Sequence, residues 1–140
     1  MAPLCSIPDS PTPRGEIASR IISAARELDL EIFAIYAPGD SSHAIHAAHV
    51  IELASSADFM NIDSLIDIAR KHKVDAIHPG YGFLSENAVF ARRMWEEARV
   101  VVVGPGWEIL EATGDKLRAR ELAARCKSPN LNTSFFTLMR

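Results

Sequence analysis

The sequence predicts an α/β fold in which a parallel sheet carries helices on both faces. Three observations support this. Short, branched apolar segments at Glu31–Tyr36, 74–78 and 100–103 alternate with stretches of helical periodicity. Turn residues, such as Pro38-Gly39-Asp40 and Gly104-Pro105-Gly106, separate them. A length of 140 residues supports one core and not two. Strands that alternate with helices across short turns form parallel sheets buried on both sides.

The elements follow in order. Residues 1–13 hold Pro3, Pro8, Pro11 and Pro13 beside Ser6 and Ser10. Proline lacks an amide donor, so this stretch is expected to be a disordered arm without a central strand. From Gly15 onward, Ile17, Ile21, Ala24, Ala25 and Leu28 recur at three- and four-residue steps and form the expected buried stripe of a helix. Glu31–Tyr36 is a buried strand, ended by the turn at Pro38. A short strand at residues 50–53 and a loop at 54–59 precede a helix capped by Asn61 or Asp63, with Leu65, Ile66, Ile68 and Ala69 on its apolar side. Residues 74–78 form a strand, 80–87 a turn, and 88–98 a helix with Phe90, Met94 and Trp95 facing inward. A strand at 100–103 and helices at 107–112 and 115–125 complete the unit. The tail, residues 127–140, has no periodicity and is expected to be poorly ordered.

Composition narrows the function. Fifteen Lys+Arg against 18 Asp+Glu give a net charge of -3, which argues against nucleic acid as a partner. Cys5 and Cys126 make neither a disulfide framework nor a metal knuckle, as expected in a reducing compartment. The longest apolar run is far short of a membrane span, and no secretion signal is expected. A cytoplasmic protein is the expectation, with a mitochondrial one as the alternative.

Several residues could carry chemistry. The strongest local signal is His78-Pro79-Gly80-Tyr81-Gly82-Phe83-Leu84-Ser85-Glu86-Asn87, set between a strand and a helix. Its glycines let backbone amides approach a ligand at the carboxyl end of a strand. The residues alone allow two readings, a ligand-binding loop or a tight connection with nothing bound. Ser85 stands where a dinucleotide fingerprint needs its third glycine, which disfavours a nicotinamide or flavin enzyme. His43, His46 and His49 invite a metal reading, but three-residue steps on a helix splay the outer pair by about 120°. Exposed histidines with no metal are the expectation. Lys116 could reach an anion as a point charge, or could belong to a basic face with Arg118, Arg120 and Arg125. No Ser-His-Asp or Cys-His arrangement is visible.

Together these motifs resemble one family. Arg14-Gly-Glu-Ile-Ala18 with Arg20-Ile21, the ten residues from His78, Val103-Gly-Pro105 and Gly114-Asp-Lys116 are similar in order and spacing to the N-terminal domain of biotin carboxylase, from about Arg14 to Arg125. The resemblance implies a Rossmann-like, pre-ATP-grasp fold. It also implies a place in a ligase that uses ATP, magnesium and bicarbonate to carboxylate biotin. By position, Lys116 would contact the nucleotide; Tyr81 and Gly82 would line the biotin pocket, with Glu86 supporting them; and Arg20 would lie on the dimer-forming surface.

Three departures from the family pattern qualify these expectations. Ser10-Pro-Thr-Pro13 stands where the family has a hydrophobic first strand ending in Ala-Asn, so that strand is expected to be missing. Ala47-Ala48-His49-Val50 replaces an Ala-Asp-Glu-Ala stretch. The similarity stops near Cys126, ahead of the ATP-grasp region with its phosphate loop, metal carboxylates and catalytic base. The chain is therefore expected to be a fragment without catalytic residues of its own, binding neither biotin nor ATP tightly and partnered by a full-length carboxylase or by the ATP-grasp region. The alternatives are a non-catalytic binding module and a truncated or misread gene product.

Overall fold

The computed structural model describes residues 3–6 and 16–128. Five parallel strands form one sheet: β1 (Pro3–Ser6), β2 (Glu31–Tyr36), β3 (His49–Glu52), β4 (Ala76–His78) and β5 (Val101–Val102), in the order β3-β2-β1-β4-β5. The helices are α1 (Glu16–Glu27), α2 (Ile62–Lys71), α3 (Ala88–Arg93), α4 (Trp107–Gly114) and α5 (Lys116–Arg125). None of the described helices is long and apolar enough to cross a membrane.

The expectation of a missing first strand is corrected. β1 is the central strand, with Leu4 opposite Ile32 on one side and Ala76 on the other. Proline is excluded from a strand's interior, where its absent N–H would break the ladder, but it is tolerated at the first position, and Pro3 occupies that position. The misread-gene alternative thereby loses one of its two supports. Residues 7–15, with Pro8, Pro11 and Pro13, lie outside the described residues, as do residues 129–140 of the tail.

Alternation along β2 sorts the core into two layers, as a sheet buried on both faces requires. Ile32 and Ala34 pack with Ile22 and Ala25 of α1. Phe33 and Ile35 face the other way, into a larger cluster with Leu65, Ile66, Phe90, Met94 and Val100. The buried stripe of α1 is Ala18, Ile22 and Ala25, not the set expected from spacing; Ile17 and Leu28 are exposed, Leu28 by 71%. Apolar residues occur in adjacent pairs on this helix (17–18, 21–22, 24–25), so two stripes with equal periodicity compete and the pattern cannot choose between them.

Asn61 rather than Asp63 caps α2, its Oδ1 accepting the Ser64 N–H at 3.2 Å. Beyond α3 the chain widens into a π-helical turn, Met94–Ala98. That turn keeps Met94 in the core but leaves Trp95 38% exposed, which corrects its expected inward position. β5 is an edge strand, and its own Val101 and the following Val103 are exposed.

Candidate functional site

The topology itself marks one position. The chain runs from β1 outward through β2 to β3, then crosses to β4 on the other side of β1. Strand order therefore reverses between β1 and β4, and ligands in open α/β sheets bind in the crevice beyond the carboxyl ends at such a switch. Ser6 and His78 are paired in register at those ends. The motif singled out from sequence starts at His78.

Its geometry is built from anchored ends and a projecting middle. Pro79 is buried, Leu84 is 3% exposed, and Tyr81 between them is 76% exposed. Gly80 and Gly82 take positive φ, 74° and 87°, which turns the chain away from the sheet and back. A 3-10 turn at Phe83–Glu86 follows, with the Ser85 N–H donating to the Gly82 carbonyl at 2.7 Å. Asn87 then starts α3, its Oδ1 accepting the Phe90 N–H at 3.0 Å. Glu86, the last residue of this turn, is exposed. Tyr81, Gly82 and Glu86 thus share one loop at the switch point.

Sequence reasoning missed what holds the loop's entry. The Gly80 N–H donates to His78 Nδ1 at 3.1 Å. The His-Pro-Gly tripeptide was the available signal, because an acceptor two residues before an amide, across a proline, builds a side-chain-closed turn.

Lys116 and Arg20 sit on other elements. Lys116 is the exposed first residue of α5. Just before it, Asp115 Oδ1 accepts the Leu117 and Arg118 N–H groups at 2.7 and 3.1 Å. The Arg118 amide, then that of Leu117, hold the Asp115 carboxyl below the usual carboxylate range. Arg20 is exposed on α1, one turn from Ile17 and Ala24. Between α4 and α5 lies an open groove of about 480 Å³ lined by Glu108, Glu111, Glu121, Arg118 and Arg125; it includes none of the loop residues.

The three histidines do not converge. His43 is 1% exposed, contrary to expectation, and its Nε2 lies 3.0 Å from the Ile35 carbonyl. His49 stacks on Phe33 and pairs with Glu31 at 2.8 Å, while His46 is exposed. Among the described residues no three His, Cys, Asp or Glu side chains could hold a metal ion.

The model of the biotin carboxylase N-terminal domain matches residues 12–110. The pyruvate carboxylase of Staphylococcus aureus is 46% identical over 123 residues, covering 83% of this chain and 10% of that protein. The solved biotin carboxylase domain of a single-chain bacterial carboxylase superposes with a TM-score of 0.83 at 38% identity, over 98% of this chain and 32% of that one. The biotin carboxylase domain of a thermophilic 2-oxoglutarate carboxylase, solved with bicarbonate bound, gives a TM-score of 0.80 at 35% identity, over 91% of this chain and 29% of that one. The chain therefore spans about a tenth of the length of the pyruvate carboxylase and about a third of the solved domains.

Proposed function

The chain belongs to the family of the biotin carboxylase N-terminal domain, and from that premise we propose that its Gly80–Glu86 loop is one wall of a biotin pocket whose reactive groups come from polypeptide outside these 140 residues. Tyr81 and Gly82 line that wall and Glu86 supports it, while Lys116 offers its ammonium to the phosphates of a nucleotide. The observation that supports this reading is the placement of the loop: it projects an exposed tyrosine and positive-φ glycines at the carboxyl ends of β1 and β4, where the sheet's order reverses.

Phosphoryl transfer depends on metal ions and donors that neutralise charge around the transferred group. The described residues supply Lys116 as a point charge and no metal-holding cluster. Magnesium, which would screen the phosphates in a complete enzyme, finds no fitting ligand set among the described residues. The chain's own part is to orient biotin and exclude water on one side. Turnover by this polypeptide alone is not expected, and neither biotin nor ATP binds it tightly. An assay of biotin-dependent ATP cleavage should show no rate above that of a Lys116→Ala control; a clear excess over that control would overturn this reading.

Two surfaces favour a partner. α5 buries none of its residues; α1 leaves Ile17 and Arg20 exposed, one turn apart, and Leu28 just beyond its end is exposed as well. Apolar side chains exposed on helices favour association, and a longer carboxylase polypeptide is the partner that family membership supports.

A further inference from the structure

Tyr81 can line a pocket only if its loop keeps one direction without being buried, and one means of doing so lies at His78. The residue ends β4, and its ring is half-buried rather than exposed. From there Nδ1 reaches forward two residues and accepts the Gly80 N–H at 3.1 Å. The intervening Pro79 has no N–H to compete, its φ is fixed by its ring, and it is buried. The closed turn therefore has one rigid centre, one side-chain acceptor and one glycine at φ 74°. It has the form of an Asx-turn, with an imidazole in place of the carbonyl of asparagine.

We infer that His78 is a positioning residue, which fixes the direction of the Gly80–Gly82 backbone through Nδ1 and so aims Tyr81. The inference deepens the biotin-pocket reading and rests on it for its functional meaning, but the turn itself is testable without any ligand. Nδ1 must lack a proton to accept, so the neutral ring carries its hydrogen on Nε2. The acceptor sits one bond beyond the first ring carbon, where Asn places Oδ1; Gln places its carbonyl one atom too far, and Ala has none. The role is thus assigned to a single acceptor position and not to the bulk of the ring.

The test is amide hydrogen exchange by NMR on the 140-residue chain and on His78→Asn, His78→Gln and His78→Ala. The Leu65 and Phe90 amides serve as reporters of the intact core. With those reporters unchanged, His78→Ala and His78→Gln should speed exchange at Gly80 by about fivefold, the worth of one ordinary hydrogen bond. His78→Asn should return it to within about twofold of the parent, because Asn-Pro favours the same turn. Unchanged exchange in His78→Ala, or failure of His78→Asn to restore it, would overturn the inference. If a substitution unfolds the chain, the unaltered protein still decides. The 15N resonances of the His78 ring should show Nδ1 unprotonated, with a coupling across the hydrogen bond to the Gly80 nitrogen. A proton on Nδ1 would refute the inference. Failure of biotin to bind would instead count against the pocket assignment alone.

Discussion

Gly82 holds φ at 87° and ψ at -170°, a region of backbone space essentially reserved for glycine. A Cβ built there meets nothing within 4 Å, so crowding is not the obstacle; the backbone torsion is. Gly82→Ala should therefore cost about 1–3 kcal/mol in a denaturant melt, or release the cost by redirecting Tyr81. A stability equal to that of the parent, with unchanged loop resonances, would show that the loop is not held as described. Asp115 allows a second residue-level test. Its carboxyl sits below the usual aspartate value because two amides of α5 bond to its charged form. A lowered folded value means that the cap contributes fully above the ordinary pKa and is lost as pH falls through the lowered one. Exchange at Leu117 and Arg118 should accelerate on acidification below roughly pH 4, beyond the intrinsic trend, and Asp115→Ala should abolish that dependence. The glycine pattern could be read from sequence because it is local chemistry. The His78 acceptor left a signal in His-Pro-Gly, but whether the ring closes the turn depends on a side-chain torsion that residue order does not reveal.

At the scale of elements, α1 separates what periodicity can decide from what it cannot. Both of its stripes are helical, and only docking against Ile32 and Ala34 of β2 selects the one with Ala18, Ile22 and Ala25. Ile22→Ala should cost about 2–4 kcal/mol through the lost methylenes and the cavity left behind. Leu28→Ala, 71% exposed, should change stability by no more than about 0.5 kcal/mol. Equal effects in paired chemical melts would return the choice to the stripe first read from spacing. Trp95 follows the same logic: its inward placement fails because the π-helical turn at Met94–Ala98 changes the rotation per residue after α3. Asn61, by contrast, was legible as one of two candidate caps, beside Asp63, because capping needs only a side-chain oxygen three residues before an open amide.

For the molecule as a whole, the decisive element is the one the sequence reading discarded. Proline-rich surroundings hid β1, yet its four residues join β2 to β4 and so bring the two halves of the sheet together at the switch point. The parallel sheet itself was legible from alternating elements, since that pattern leaves few other ways to bury both faces. The place of its centre was not, because Pro3, Pro8, Pro11 and Pro13 make residues 1–13 read as an arm, although a proline at a strand's first position is tolerated. With β1 in place, Ser6 and His78 end adjacent strands at the point where the strand order reverses, the position proposed for the biotin loop. Titration of the chain with free biotin, followed at every assigned amide, tests that placement most directly. Weak binding, on the order of millimolar, with shifts concentrated from Gly80 to Glu86, is the expected result. Saturating shifts centred on the α4–α5 groove or the β3 edge, or no shift in the loop at several millimolar biotin, would contradict it.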